Sequence, residues 1–247
     1  MSRTLNSCIV CCTPRTGSTL LCSLLKATDV AGKPQSYFRS QDVEARVDGW
    51  DIRQTDGSFH FRDYLRCVLE RGRSENGVFS ARIMWETMEE LTTNLRSIGM
   101  IGSDFEVLTQ AFGEPKFVSL ERRDAVAQAI SRLRAEQSHV WHIRRAGDQE
   151  AAKRGVSYDH DAIQHFIDES NDHVHKWNSW FQENNIVPLR LSYEDLELAP
   201  ATEAQKILDL IGVERQVGSI KTKNVRMADE TSRVWAERFR AETSYSI

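Results

Sequence analysis

Short apolar runs alternate along the chain with stretches whose apolar positions recur at helical spacing. The strand-length runs cover residues 8–12, 78–84, 116–121 and 186–191. Strands that alternate with helices build a mostly parallel sheet, and the helices then cover both of its faces. The pattern therefore predicts an α/β fold with a P-loop-like, mostly parallel central sheet, and ligands at the carboxyl ends of its strands.

Helical spacing predicts the elements between and after these strands. The expected helices cover residues 20–25, 61–69, 86–98, 104–112, 124–131, 159–183 and 204–211. Gly72 and Gly212 are placed to end two of them, since glycine readily follows the last helical turn. Trp235 and Phe239 are expected to anchor a last helix against the core.

The length of 247 residues allows one domain or two. We expect a single domain over 1–247, because no Pro-, Gly- or Ser-rich linker divides the chain. A polar stretch of about 33–60 is expected to form an irregular lid on the substrate side. A flap and helix are expected at about 219–247, and the basic, polar stretch 141–155 is predicted to be a solvated loop, with a dimer or substrate contact as the alternative.

Charge and cysteine content narrow the classes of partner. The net charge of −4 gives no basic field that would attract nucleic acid. No signal-peptide pattern or membrane-spanning apolar run is visible, so a cytoplasmic protein without a membrane partner is expected. The five cysteines suggest reduced core thiols, and no metal site is expected because the second half of the chain contains no cysteine.

The most informative segment follows the first strand and leads into a helix. It reads Thr13-Pro14-Arg15-Thr16-Gly17-Ser18-Thr19. A turn at Gly17 lets successive backbone N–H groups face one point, where the helix dipole also favours an anion. Ser18 and Thr19 add hydroxyl donors, and Arg15 adds a planar cation. The alternative is an ordinary capped helix, in which Thr16 or Ser18 only satisfies free amides.

This loop lacks the signature of an ATP-binding P-loop. That signature places a Lys directly after its last Gly, followed by a Ser or Thr that holds magnesium. Here the cation Arg15 precedes Gly17, and no Lys follows it. ATP chemistry is therefore disfavoured.

A second segment supports anion binding. The strand 116–121 is followed by Arg122-Arg123-Asp124, with Arg123 at the strand exit and Ser131 about two helical turns later. With these two segments the chain resembles the sulfotransferases that use 3′-phosphoadenosine 5′-phosphosulfate (PAPS). The residues of both segments are similar to those of the bacterial Stf0 branch. Weaker resemblances lie at 32–38, 191–196 and 226–239, so the likeness covers nearly the whole chain.

The resemblance implies a site and an activity. It implies transfer of a sulfuryl group from PAPS to a hydroxyl of a small carbohydrate such as trehalose, without a metal, by a homodimer. Arg15 would stabilise the leaving phosphate. The residues implied in donor binding are Pro14, Arg15, Thr16, Gly17, Ser18, Thr19, Arg123, Ser131 and Arg226; those implied in acceptor binding are Gln35, Ser36, Tyr37 and Phe38.

One position departs from the resemblance. Stf0 relatives carry a general-base Glu where this chain has Ser36. A serine is a poor base at neutral pH, and losing a general base costs about 10²–10⁴ in rate. Asp42 or Glu44 could replace it, the acceptor could be acidic enough to need no base, or the chain could bind PAPS without transferring sulfate.

Two other functions stay open at this point. One is a non-catalytic or weakly active nucleotide-binding protein, which Ser36 favours; the other is a P-loop small-molecule kinase, which the missing Lys disfavours. The histidine pairs 139/142 and 173/175 are expected on the surface or in packing, although a histidine base remains open. Trp85 could stack on a sugar or on adenine.

Overall fold

A computed structural model describes residues 6–142, 146–215 and 229–244. Its central sheet has four parallel strands in the order β2-β1-β3-β4. The strands are Asn6–Cys12 (β1), Phe79–Met84 (β2), Glu114–Glu121 (β3) and Leu189–Ser192 (β4). The predicted parallel sheet is confirmed, although β4 begins later than the apolar run at 186–191 suggested.

Helices account for most of the remaining described chain. They are Ser18–Ala27 (α1), Ser40–Gly49 (α2), Phe61–Arg71 (α3), Met88–Ser97 (α4), Asp104–Phe112 (α5), Ala125–Ser138 (α6), Ala146–Ala151 (α7), His160–Glu183 (α8), Tyr193–Leu198 (α9), Pro200–Leu210 (α10) and Glu230–Ser244 (α11). A 3-10 helix, Trp85–Thr87, joins β2 to α4. None of the helices in the described part of the chain is both long and apolar enough to cross a membrane.

The alternation of side chains along β1 places two cores on opposite faces of the sheet. Ile9 and Cys11 belong to one core, which also contains buried residues of α2, α3, α4, α5 and α8. Cys8, Val10 and Cys12 belong to the other, which contains buried residues of α1 and α10. Because successive residues of a strand point to opposite faces, helices cover both sides of β1 as predicted.

A third cluster extends the fold beyond the sheet. Ile130 of α6 and Ile163 of α8 pack with Trp235 and Phe239 of α11. The expected anchoring of the last helix by these two aromatic residues is observed. The C-terminal segment 216–228, which includes the predicted flap residue Arg226, lies outside the described residues.

Two loop predictions need correction. The supposed irregular lid at 33–60 contains the helix α2, whose Val47 is fully buried in the core. The supposed solvated loop at 141–155 contains the short helix α7. Because α2 has few apolar positions, its sequence shows no clear helical pattern. The helix is stabilised instead by tertiary packing of Val47 in the core.

Candidate active site

The loop between β1 and α1 has the conformation that an anion cradle requires. Gly17 lies in the left-handed region at φ 78° and is the N-cap of α1. A β-carbon at this position would lie 2.5 Å from Cδ2 of Tyr193. Only glycine fits both the backbone angle and the close aromatic ring, so the amides of the first turn of α1 are held at the end of β1.

Side chains from distant parts of the chain fix the loop. Gln128 of α6 donates from Nε2 to Oγ1 of Thr13 at 2.9 Å and to the carbonyl of Pro14 at 2.7 Å. Thr16 donates from Oγ1 to the carbonyl of Thr13 at 3.0 Å. All of these residues are buried. Because buried polar groups are costly unless bonded, these contacts hold the loop in one geometry.

Arg15 crosses from the loop to α6. Its Nε donates to Oγ of Ser131 at 3.0 Å, and its Nη1 donates to the carbonyl of Trp141 at 2.6 Å. Burial, with a further contribution from Arg122, lowers the pKa of Arg15 to about 10. The guanidinium remains a cation at neutral pH, but it lies in a site that an anion would stabilise.

Arg122 is a second cation at the loop. It lies 4.4 Å from the centroid of the Tyr193 ring, and its Nη1 donates to the carbonyl of Arg15 at 3.4 Å. Its Nε is buried and has no hydrogen-bond partner among the described residues. Burial also lowers the pKa of Arg122, with Tyr193 opposing. An unpartnered buried donor beside a cradle of amides fits an anionic ligand.

Arg82 is a functional candidate that the sequence reasoning missed. It lies in β2, and its Nη1 donates to Oγ of Ser18 at 3.1 Å and to Oγ1 of Thr19 at 3.0 Å. Its Nε donates to Oγ of Ser36 at 2.7 Å. The available signal was a charged residue within an otherwise apolar strand, which is rare unless the charge is paired or used.

Arg123 bonds to residues at the end of β4 and the start of α9, whereas Ser131 bonds to Arg15. Its Nη2 donates to Oγ of Ser192 at 2.8 Å and also to the carboxylate of Asp195, and its Nε lies 3.5 Å from Glu194. These bonds raise the pKa of Arg123. The structure therefore joins Ser131 to Arg15 and holds the exposed Arg123 by two carboxylates that follow β4.

The predicted acceptor residues divide into surface and core. Ser36 is buried and accepts from Arg82, whereas Gln35 is exposed and accepts from Nη1 of Arg46 at 3.4 Å. Tyr37 and Phe38 are buried in the core, where Phe38 packs on Phe112. Both of these side chains thus fix the segment from inside, and Phe38 also lines the cavity described below.

The two carboxylates considered as replacement bases are engaged elsewhere. Asp42 accepts from Nε and Nη2 of Arg39 at 3.0 and 2.9 Å. Glu44 accepts from Nη2 of Arg53 at 2.6 Å and is 66% exposed. Each is paired with an arginine of its own segment, while Ser36 bonds to Arg82.

A cavity of about 840 Å³ lies between α2, α3 and α4. Its wall includes Phe38, two residues after Ser36, and mixes aromatic with polar side chains. The polar and aromatic members include Glu44, Phe59, His60, Phe61, Asp63 and Glu90. Such a lining suits a small polar molecule with apolar faces.

Comparison with known proteins agrees with the resemblance. The model of the Stf0 sulphotransferase family matches residues 7–242. The chain belongs to this family. Trehalose 2-sulfotransferase of Mycobacterium tuberculosis (strain ATCC 35801 / TMC 107 / Erdman) is 30% identical, over 98% of this chain and 97% of the relative. The enzyme of the same name from Mycolicibacterium smegmatis is 27% identical, over 95% of this chain and 94% of the relative.

A solved structure has a more distant likeness. The sulfotransferase domain from the curacin biosynthetic pathway is 15% identical, with a TM-score of 0.47 over 96% of each chain. The family assignment rests on the sequence matches, and they identify this chain as a sulfotransferase. The suspected Stf0 membership is thereby confirmed.

Within this Stf0 sulphotransferase, Trp85 packs against a core tryptophan. Its ring centroid lies 5.1 Å from that of Trp177, in an edge-on arrangement. Trp177 is buried and donates from Nε1 to the carbonyl of Cys12 at 3.4 Å. The pair closes the end of β1 beside the loop, so Trp85 is partly used in packing and only its remaining surface is open to a ligand.

The site as a whole is a candidate anion site, because three arginines lie at one loop. Arg15 belongs to the loop itself, and Arg82 and Arg122 approach it from β2 and from the end of β3. Charge that develops on a leaving group in such a preorganised setting is stabilised without reorganisation. Chemistry that expels an anionic phosphate is therefore the chemistry that this arrangement can support.

Proposed function

We propose that this sulfotransferase moves a sulfuryl group from PAPS to a hydroxyl of a small carbohydrate, such as trehalose or a related glycoside. The observation that best supports this proposal is that Arg15, Arg82 and Arg122 lie together at a loop that can hold an anion. The names of the two curated relatives support the acceptor class. The identities of 30% and 27% leave room for a related acceptor.

Donor binding is proposed for the loop and for α6. When bound, PAPS supplies an activated sulfuryl group attached to a phosphate. Amides and hydroxyls of Thr16, Gly17, Ser18 and Thr19, with Pro14 shaping the turn, would hold the phosphosulfate. The unpartnered Nε of Arg122 supports a further contact.

Catalysis is proposed to depend on Arg15 and Arg82. Arg15 would stabilise the negative charge left on the phosphate oxygen. Removing one donor that stabilises developing charge in this way typically lowers the reaction rate by about 10²–10³-fold. Arg82 already joins Ser18, Thr19 and Ser36, so it would align the donor side with the acceptor side. The scheme uses no metal ion.

The 3′-phosphate is proposed to bind at Arg123, Ser131 and Arg226. For Arg123 this requires that its guanidinium leave Asp195 and Glu194, since both now compete for it. The exchange is feasible because Arg123 is exposed, and exposed ion pairs are individually weak.

A homodimer in the cytoplasm is also proposed, on the family resemblance alone.

Acceptor binding is proposed along residues 33–60 and the adjoining cavity. The aromatic and acidic lining of the cavity supports a sugar, whose faces stack on rings and whose hydroxyls donate to carboxylates. Gln35 and Ser36 lie where this segment meets Arg82. The rival function, nucleotide binding without transfer, is favoured by the serine at position 36.

Calorimetric titration of 3′-phosphoadenosine 5′-phosphate (PAP) tests the donor. We expect micromolar affinity for PAP, no binding of ATP with magnesium, and at least tenfold weaker PAP binding in Arg123→Ala, about 1.4 kcal/mol. Arg238→Ala is the matched control, because Arg238 is also an exposed arginine paired with a carboxylate. A preference for ATP, or no PAP binding, would remove the proposal.

Mass spectrometry of sugars incubated with PAPS tests the transfer itself. A gain of one sulfate on trehalose or a related glycoside is expected in the wild-type protein and not in Arg15→Ala. PAP binding without any sulfated product across a panel of sugars would favour the non-catalytic alternative.

A further inference from the structure

A histidine and two carboxylates lie together outside the residues assigned so far. Glu86 lies in the 3-10 helix after β2, and Glu169 and His173 lie one turn apart on α8. One oxygen of each glutamate and one ring nitrogen of His173 lie within 4.8 Å of one another. Nδ1 of His173 is buried and has no hydrogen-bond partner among the described residues. The imidazole therefore has capacity for a further hydrogen bond or proton.

The cluster lies near the end of β1. Trp177, one turn after His173 on α8, donates to the carbonyl of Cys12, the last residue of β1. Trp85, the neighbour of Glu86, packs against the same Trp177 ring. His173 lies one helical turn, about 5.4 Å along α8, from this Trp177, which contacts the last strand residue before the loop.

Two further contacts connect the cluster to the cations of the loop. Glu169 accepts from Nη1 of Arg132 at 2.7 Å, and the preceding residue, Ser131, accepts from Arg15. On the other side, burial raises the pKa of the Cys12 thiol, Arg82 opposes this and Glu86 adds to it. The strand register gives the geometry: Met84 is paired with Cys12, and Arg82 and Glu86 lie two residues before and two residues after Met84. The cluster is bracketed by the Arg15 side and the Arg82 side of the loop.

On the basis of the proposed function, we propose that His173 takes the proton of the acceptor hydroxyl, and that Glu86 and Glu169 position and stabilise the resulting imidazolium. As the acceptor oxygen bonds to sulfur, the bond from sulfur to the phosphate oxygen breaks and its electron pair stays on that oxygen. The hydroxyl proton moves to the imidazole. Products are the sulfate ester, PAP and protonated His173, which returns its proton to solvent.

This assignment accounts for the serine at position 36. Ser36 accepts a hydrogen bond from the cation Arg82, which makes its oxygen a still weaker base. Asp42 and Glu44 are paired with arginines. A histidine oriented by carboxylates is a general base of the required kind.

The charged surroundings of His173 come from three elements. The groups are Glu86 of the 3-10 helix, Glu169, Asp172 and Lys176 of α8, and, through Glu169, Arg132 of α6 and His165 of α8, whose Nε2 lies 3.6 Å from the Glu169 carboxylate. The hydrogen bond from Lys176 chiefly lowers the pKa of Asp172, and this pair is therefore internally neutralised. Glu86 is exposed and is the group most easily changed without disturbing the fold.

The test compares His173→Gln with His175→Gln, a matched control on the exposed surface of the same helix. We measure kcat across about pH 5 to 9 with saturating PAPS and sugar, and PAP affinity by calorimetry. In His173→Gln we expect kcat to fall about 10²–10⁴-fold, the acid limb of the profile to vanish and PAP affinity to persist. His175→Gln should retain the wild-type profile.

Two more variants separate catalysis from structure. Glu86→Gln should move the acid limb to lower pH, because removal of a neighbouring negative charge makes the imidazolium harder to form. Ser36→Glu should restore part of kcat in His173→Gln by supplying a carboxylate. If His173→Gln lost PAP binding through misfolding, the position of the acid limb in the kcat profile of Glu86→Gln would decide whether His173 is the base.

The outcomes distinguish this inference from the proposed function. A wild-type protein that neither binds PAP nor sulfates a sugar removes the proposed function. A wild-type protein that does both, with an acid limb unchanged in His173→Gln and in Glu86→Gln, overturns only the role of His173.

Discussion

The proposed donor side and the proposed acceptor side of the site are held in different ways. Loop residues 13–19 are tied to α6 by bonds between residues more than a hundred positions apart, including those of Gln128 and of Arg15. Residues 33–60 are held by buried aromatic residues, and their polar groups form short-range surface pairs such as Arg39 with Asp42. The acceptor side can therefore change its chemistry at little cost to the fold, as the serine at position 36 illustrates.

Arg82 joins the two sides. It lies in β2 and bonds both to the hydroxyls at the start of α1 and to Ser36. A substitution on one side can therefore affect the other side through Arg82.

The largest effect is expected where the donor side has no freedom. Gly17→Ala places a β-carbon at φ 78°, which costs about 1–2 kcal/mol, and 2.5 Å from the Tyr193 ring. PAP affinity should fall about a hundredfold by calorimetry. Gly99→Ala, at φ 98° with open space around it, should lower stability but leave PAP affinity unchanged. Equal loss of PAP affinity in both would show that general destabilisation, and not the geometry of the loop, lowers the affinity.

Breaking the link between the two sides should have the next largest effect. Arg82→Gln removes the charged donor to Ser18, Thr19 and Ser36. Bonds to charged groups contribute about 1.5–3 kcal/mol each, so kcat/KM with PAPS should fall at least tenfold. Arg96→Gln, an exposed arginine paired with Asp104, is the control and should behave as wild type.

A third variant tests the ion pair that joins α6 to the start of the C-terminal helix α11. Asp229 accepts from Nη1 and Nη2 of the buried Arg134 at 2.6 and 2.9 Å. Burial alone would raise the pKa of Asp229, but the bonds from Arg134 prevail and lower it. Asp229→Asn should therefore lose about 2–3 kcal/mol of unfolding free energy at pH 7, measured in urea.

The pH dependence of this pair has a definite sign. A carboxylate with a lowered folded pKa contributes stability above its unfolded pKa of about 3.9, and this contribution disappears as pH falls through the folded value. The difference in stability between wild type and Asp229→Asn should shrink on acidification. A gap that is constant with pH would exclude the ionic contribution.

The smallest effect is expected from Ser36→Ala. If the serine only accepts a bond from Arg82, its loss should lower kcat less than about tenfold, because Arg82 keeps its bonds to Ser18 and Thr19 and a water molecule can replace the lost acceptor. A loss of a hundredfold or more in steady-state assays would instead assign a direct catalytic role to the hydroxyl. The control is Ser244→Ala, an exposed serine at the end of α11, outside the proposed site.

The outline of the fold and the donor loop could be predicted from sequence because both depend on local patterns. Apolar runs set the strands, and the order of Arg15, Gly17 and Ser18 set the cradle. The helix α2 was missed because little in its own sequence is amphipathic, and the bonding of Ser131 to Arg15 was missed because it depends on how α6 crosses the loop.

The sequence by itself determined an α/β chain with an anion loop, a departure at Ser36 and membership in a sulfotransferase family. Only the tertiary structure placed Arg82 and Arg122 at that loop, moved Arg123 to the carboxylates after β4, and brought Glu86 of one element beside His173 of another. The reason is physical. Local periodicity fixes which residues form each strand and helix, whereas the direction of a charged side chain depends on neighbours that only the packed sheet and its helices supply.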